Sequence, residues 1–127
     1  MARRYATSGS PYEGDAGFSR AVRSGDHVAV AGTAPIWPDG SCPADAGLQA
    51  AQCLAIIVRA LADVGGEPRH VLRTRIFVTD AADFPAVARA HAAVFGEARP
   101  AATCVVVAAL LDPRWKVEIE ADAIVDD

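Results

Sequence analysis

The alternation of apolar and acidic residues over positions 117–122, in a predicted strand that spans 117–125, constrains the fold of this chain more than any other feature. Val117, Ile119 and Ala121 fall on one side of an extended strand, and acidic residues fall on the other side. A strand of this kind has one face against an apolar layer and one polar face. The segment therefore predicts a sheet whose core lies on one side.

The preceding segments predict a hairpin and two helices. Residues 18–24 and 27–32 predict two strands joined by a tight turn at Gly25-Asp26, where glycine supplies a positive φ. Two apolar stripes with a spacing of three and four residues predict amphipathic helices. These helices span residues 47–64, capped by Asp45 and ended by Gly65-Gly66, and residues 83–96, begun at Asp83 and ended at Gly96.

Two further strands complete the predicted order. Residues 71–79 alternate, with Leu72, Thr74, Ile76 and Val78 on one face. Residues 103–109 form a continuous apolar run, which predicts a strand covered on both faces. Together the elements predict an α+β fold with a mixed sheet and two helices on one face. The opposite face then needs cover, and a trimer that packs its sheets together would supply it.

Length and composition limit the classes of function. The 127 residues predict one domain, 1–127, and 52% of them are hydrophobic, many being alanine. Part of that apolar surface is expected at a subunit interface. The formal charge is −4 and no basic run is present, so we expect no nucleic-acid partner.

The cysteines and the chain's hydropathy indicate a cytoplasmic protein. Cys42, Cys53 and Cys104 form an odd set without a CxxC spacing, which predicts reduced thiols. We expect no signal peptide, because no apolar segment follows the two early arginines. We also expect no membrane partner, because no uninterrupted apolar stretch approaches the roughly 18 residues of a membrane helix.

Few side chains have the spacing of a known catalytic or metal site. His27, His70 and His91 show no metal-ligand spacing, and no phosphate-binding loop or serine elbow is present. We therefore expect no metal and no cofactor. Cys104 lies in an apolar segment and is interpreted as a core thiol, with a nucleophile as the alternative.

Three carboxylates, Glu118, Glu120 and Asp122, share one face of the last strand. Like charges at this spacing repel unless water or cations separate them. One interpretation is a solvated face paired with Arg73 and Arg75 of a neighbouring strand. The other is that one carboxylate lies in a cleft as an acid, a base or a group that positions water.

Five segments resemble the RidA (YjgF) family, which also carries the name endoribonuclease L-PSP. The segments are GFSRAV (17–22), VAVAGTAP (28–35), RTRIFVTDAADFPAV (73–87), HAAVFGEARPAATCVVVAAL (91–110) and VEIEA (117–121). This resemblance implies a chorismate-mutase-like α+β fold, a homotrimer, and a ligand cleft at each subunit interface. It also implies hydrolysis of small reactive imines and enamines to keto acids and ammonia, without a cofactor.

The resemblance also implies site residues. The family's water-positioning glutamate matches Glu118, and its early aromatic residue matches Phe18. Gly32-Thr33-Ala34 lies where the family lines its cleft, and Cys104 matches the family's cysteine. The arginine that binds the substrate carboxylate through paired hydrogen bonds is replaced by Ala102.

Two other arginines are candidates for that missing role. Arg20 shares a strand face with Phe18, and Arg114 precedes the glutamate strand. Both have ordinary surface positions as the alternative. Trp37 and Trp115 are expected to pack at loop bases or interfaces, with a pocket lid as the alternative.

Two functions remain open at this point. One is a cofactor-free hydrolase of small imines, enamines or related molecules, in which Glu118 organises water. The other is a trimer that binds a small molecule and regulates without catalysis. Ribonuclease activity is disfavoured, because the chain is acidic and lacks a basic stripe or paired catalytic histidines.

Overall fold

The protein is described by a computed structural model that covers residues 2–126. Its six strands are β1 (Arg4–Ala6), β2 (Ala21–Ser24), β3 (His27–Thr33), β4 (Val71–Val78), β5 (Ala101–Val106) and β6 (Val117–Ile124). They form one sheet in the order β1-β2-β3-β6-β4-β5. The pair β4–β5 is parallel and the other neighbouring pairs are antiparallel.

Three helices connect these strands: α1 (Pro11–Ala16), α2 (Ala46–Asp63) and α3 (Phe84–Phe95). The side chain of Asp45 accepts a hydrogen bond from the backbone N–H of Leu48 at 2.9 Å, so the predicted cap of α2 is confirmed. The observed α+β architecture agrees with the predicted mixed sheet and its two long helices. The sequence analysis missed β1 and α1, which are only three and six residues long.

The long helix α2 covers the centre of the sheet and packs beside α3. Its 18 residues have a mean hydropathy of 1.2, which by length and composition would suit a membrane span. Eight of those residues are buried within the protein, as in the central helix of a globular core. The inner face of β6 meets this layer through Val117, Ile119 and Ala121, all nearly inaccessible to solvent.

The predicted hairpin is confirmed, with Ser24 opposite His27 and Gly25 in the left-handed region at φ 61°. The prediction that Leu72 shares a face of β4 with Thr74, Ile76 and Val78 is wrong. Leu72 is exposed, whereas the other three residues are buried. The pairing of β4 with β6 shifts register between Val71 and Arg73. This irregularity ends the two-residue alternation and turns Leu72 away from the core.

The prediction that β5 is covered on both faces is wrong for the protomer. β5 is an edge strand, and five of its six residues are exposed. Both Val105 and Val106 remain open to solvent. On the outer face of the neighbouring strands, Arg75, Phe77 and Glu120 are only half-buried, so the apolar surface of β5 lies beside a partly open face.

Candidate functional site

Five of the predicted site residues meet around one cavity of about 130 Å³ on the open side of the sheet. Phe18, Arg20, Gly32, Ala34 and Glu118 all line it. The other lining residues are Ser10, Tyr12, Ile36 and Leu111, which were not predicted from the sequence, and Trp115, for which a pocket lid was the predicted alternative to packing. We call this the Glu118 cavity.

Glu118 is half-buried in β6, where it lies opposite Phe77 of β4. Burial raises the pKa of its carboxyl, Arg20 opposes that effect, and the nearby charge of Glu120 adds to it. No hydrogen bond or ion pair joins its carboxylate to another side chain or backbone group within residues 2–126. A carboxylate with free acceptor atoms and a raised pKa can hold water and exchange a proton with it.

The other two carboxylates of β6 have a different environment. Arg75 Nη1 lies 3.3 Å from Glu120 Oε2 and 3.1 Å from Asp122 Oδ2. Arg73 donates instead to Thr103 Oγ1, at 3.5 Å. Ion pairing with the neighbouring strand is therefore confirmed for Glu120 and Asp122 through Arg75. Glu118 alone of the three carboxylates faces the cavity.

A β-bulge brings the backbone of β3 against Glu118. Val30 pairs with Ala121 and Thr33 pairs with Ile119, so β3 carries one extra residue between these points. A Cβ atom added at Gly32 would lie 2.6 Å from Glu118 Oε2, closer than real contacts allow. Only glycine lets the carboxylate approach this backbone in its observed position.

Arg20 forms the buried wall of the cavity, and only 4% of its surface is exposed. Its Nε donates to Glu13 Oε2 at 3.2 Å, and its Nη1 donates to Gly32 O at 2.7 Å and Thr33 Oγ1 at 3.2 Å. The guanidinium carbon also lies 5.3 Å from the centre of the Phe18 ring. This contact is consistent with the prediction that the side chains of Arg20 and Phe18 point towards the same cleft.

Glu13 in α1 holds Arg20 in place. Thr7 Oγ1 donates to Glu13 Oε1 at 2.6 Å, and the backbone N–H and hydroxyl of Ser8 also donate to the carboxylate. Burial acts to raise the pKa of Glu13, but the hydrogen bonds from Ser8, Thr7 and Arg20 outweigh burial and lower it. Glu13 is therefore a buried carboxylate kept in its charged form.

The sequence analysis missed Glu13, although a local signal for its helix exists. Ser10 caps α1 by accepting from the Tyr12 N–H at 3.3 Å, and Pro11 occupies the first turn. Serine followed by proline is a known pattern for a helix start. The pairing with Arg20 spans seven residues and a chain reversal, which no local pattern reveals.

Four candidate residues do not line the Glu118 cavity in the protomer. Arg114 is held by Asp112, with Nε to Oδ1 at 3.1 Å and Nη2 to Oδ2 at 2.9 Å, and it also donates to Gly40 O. Ala102 and Cys104 pair with buried residues of β4, so they point to the helical side of the sheet. Burial raises the pKa of the Cys104 thiol, which disfavours the reactive thiolate.

A second cavity of about 450 Å³ adjoins the first, and Arg20 lies in the wall of both. Thr33 and Trp37 line the larger cavity. Trp115 is buried and packs edge-on against Tyr12, with ring centres 5.8 Å apart, in agreement with the predicted packing role. The predicted residue Thr33 thus lies beside the Glu118 cavity, where its hydroxyl oxygen accepts the hydrogen bond from Arg20 Nη1.

Two of the three histidines have structural partners. His91 Nε2 lies 2.8 Å from Thr74 Oγ1, and burial lowers the pKa of this imidazole. His70 is buried, and its Nδ1 accepts from the Glu67 N–H at 2.9 Å. In the described part of the chain, no three His, Cys, Asp or Glu side chains group in a way that could hold a metal ion.

Similar proteins share this fold and bear on its chemistry. Residues 10–125 match the family described as Endoribonuclease L-PSP. A crystal structure of a YjgF/YER057c/UK114 family member from Mycobacterium tuberculosis is 42% identical, with a TM-score of 0.90 and coverage of 98% of this chain and 100% of that one. The 2-iminobutanoate/2-iminopropanoate deaminase of Escherichia coli is 33% identical over 129 residues, covering 98% of each chain. The 3-aminoacrylate deaminase RutC of Acinetobacter baylyi is 39% identical over 75 residues, 59% of each chain.

Proposed function

This chain belongs to the endoribonuclease L-PSP family, which includes RidA, RutC and YjgF proteins, and from that premise we propose that it is a deaminase of small reactive imines or enamines. Its family relatives include two enzymes named as deaminases of such compounds. The single observation that carries the proposal for this chain is the Glu118 carboxylate. It faces a small cavity with its oxygens unpaired and its pKa raised by burial.

The proposed reaction needs only water and the substrate. Glu118 holds a water molecule and accepts its proton as the water oxygen bonds to the imine carbon. The proton then passes to the nitrogen, which gives a carbinolamine. Glu118 next accepts the proton of the new hydroxyl group and passes it to the amine, the carbon–nitrogen bond breaks, and a carbonyl compound and ammonia leave. An enamine first becomes an imine by taking a proton on carbon. The raised pKa suits this role, because the same carboxyl must accept the proton and return it.

We also propose that the cavity is completed at the interface of a homotrimer. Leu111 lines the cavity yet is 81% exposed, so the cavity is open at that side in the protomer. The edge strand β5 exposes Val105 and Val106 beside the uncovered sheet face. Apolar surface of this kind on a sheet edge is typical of an interface between chains.

The ribonuclease reading has no support from the cavity. Its lining residues include no histidine, and its one arginine is already paired with Glu13. The net charge of −4 also opposes the approach of a polyanion. Cleavage of RNA by nuclease-free protein, lost on a cavity substitution, would contradict this conclusion.

A substrate panel tests the proposal. Imines generated in situ by amino-acid oxidases and amine oxidases should release ammonia faster in the presence of the purified protein than by spontaneous hydrolysis. Acceleration of any member supports a deaminase. If the protein accelerates none of them, yet its melting temperature rises with one of the corresponding stable amines or carbonyl products, the protein binds without catalysis and the deaminase proposal fails.

A further inference from the structure

The charges around the Glu118 cavity bear on which substrates can enter. Glu118 and Glu13 are carboxylates, and Arg20 is the only cationic side chain that lines the cavity among residues 2–126. The side chains of Arg20 and Glu13 are 5% and 7% exposed, so solvent screens their pairing little. The positive charge of Arg20 is therefore already compensated by Glu13, and the remaining charge in the site is negative.

The hydrogen bonds of Arg20 also leave it poorly placed to bind a substrate carboxylate. A carboxylate is held most firmly by two parallel N–H groups of one guanidinium. Nε is bound to Glu13, and Nη1 is bound to both Gly32 O and Thr33 Oγ1. Only Nη2 has no hydrogen bond to another described residue, so Arg20 retains no free pair of donors from two different nitrogens.

Two other arginines are held by carboxylates outside the cavity. Arg114 is held by Asp112 and Gly40, and Arg75 is held by Glu120 and Asp122. Position 102, where the resemblance places the carboxylate-binding arginine, is alanine. In a homotrimer every copy carries the same Ala102, so no neighbouring copy can supply an arginine from that position.

From these contacts we infer that the Glu118 cavity accepts imines or enamines whose group beside the reacting carbon is uncharged. This inference rests on the proposed deaminase function. A substrate carboxylate would meet the charge of Glu118, and the cavity lining of the protomer offers no unpaired cation to balance it. A neutral imine avoids that repulsion, its protonated form is attracted to Glu118, and a carbonyl or hydroxyl on it can accept a hydrogen bond from the free Nη2 group of Arg20. Oxidation of a primary amine is the class of reaction that supplies such an imine.

Two imines that differ only by a carboxylate test the inference. Oxidation of propylamine and of 2-aminobutyrate gives the same carbon chain and C=N group without and with the carboxylate. We expect the protein to accelerate hydrolysis of the propylamine imine at least tenfold more than that of the 2-aminobutyrate imine, each relative to its spontaneous rate. Equal or greater acceleration of the carboxylated imine would overturn the inference and leave the deaminase function intact. Acceleration of neither would overturn both.

A variant pair tests the role of Glu13. Glu13→Gln keeps the shape of the side chain and releases the charge of Arg20, so the relative rate for the carboxylated imine should rise about tenfold. Asp15→Asn, which removes an exposed charge on the same helix, should leave the ratio of the two rates unchanged. An unchanged ratio in folded Glu13→Gln would contradict the inference. If this variant does not fold, the comparison of the two imines on the unaltered protein still decides.

Discussion

Glu118 and Glu120 stand two residues apart on the same face of β6 and have different surroundings. Glu120 pairs with Arg75, whereas Glu118 lies against Gly32 and the cavity with its carboxylate unpaired. The difference follows from the strand opposite. Phe77 faces Glu118 and Arg75 faces Glu120. Because its cross-strand neighbour is apolar, Glu118 forms no ion pair with β4, and its carboxylate remains available for chemistry.

Gly32→Ala should reduce activity with little effect on stability. The added Cβ would meet Glu118 Oε2 at 2.6 Å, and the flexible carboxylate end would move away from its position. We expect kcat/KM for imine hydrolysis to fall roughly tenfold or more, about 1.4 kcal/mol of transition-state stabilisation. Gly14→Ala is the control, because nothing lies within 4 Å of its added Cβ. Equal activity of the two variants would show that the position of Glu118 does not matter.

Glu118→Gln should make the protein more stable at neutral pH. The pKa of Glu118 is raised in the folded protein, so on raising the pH the unfolded chain loses this proton first. Folding therefore loses stability as pH rises from the ordinary glutamate pKa, about 4.3, to the raised folded value. Thermal melts should show a higher Tm for the variant at pH 7, with the gain shrinking towards pH 4.

The matched control for that measurement is Asp122→Asn, which removes a partner of Arg75 on the same strand face. It should give no gain of stability at pH 7. A Glu118→Gln protein that is less stable than the unaltered protein at pH 7 would contradict the assignment of a raised pKa to Glu118.

At the scale of elements, α2 packs against the centre of the sheet. The side chain of Asp45 caps its first turn. Asp45→Ala removes the hydrogen bond to the Leu48 N–H and should cost about 1 kcal/mol of unfolding free energy. Urea unfolding followed by circular dichroism, at one protein concentration, measures the change. Asp63→Ala removes only an exposed pair with Arg59 and should cost less than about 0.5 kcal/mol. Similar losses in both variants would contradict the capping role.

Sequence periodicity was sufficient to predict the helices and strands that have one face against the core. β6 alternates over its length because α2 packs on one side and solvent or pairing charges lie on the other. The register shift that exposes Leu72 and the bulge that places Gly32 depend on the neighbouring strand, so the chain's own pattern does not reveal them. Residues that reach the site through contacts with distant parts of the chain, above all Glu13, were not predicted for the same reason.

At the scale of the whole molecule, the open sheet face and the edge strand β5 lead us to expect association. Val105→Glu would place a charge on the open face, opposite Phe77 in the register, and should convert three-chain particles into single chains. Light scattering after size-exclusion chromatography measures this. Leu48→Glu, at an exposed position on α2, should leave the assembly intact. A single-chain mass for the unaltered protein would contradict the homotrimer.

The fold and the cavity differ in how far they determine function. The fold is shared with a solved structure of a YjgF family member, whereas the charges beside Glu118 depend on individual side chains, above all on the pairing of Arg20 with Glu13. Function is therefore decided by the surroundings of Glu118. A test of the whole account must compare this carboxylate with another that shares its strand but not its cavity.

The most direct measurement is the rate of imine hydrolysis by the unaltered protein, Glu118→Gln and Asp122→Asn, side by side at equal concentration and across pH. We predict that Glu118→Gln loses at least about a hundredfold of the rate enhancement, as expected for removal of a general base. Asp122→Asn should retain most of it, and the unaltered protein should lose activity as pH falls through the raised pKa of Glu118. Full activity in Glu118→Gln would contradict the central claim.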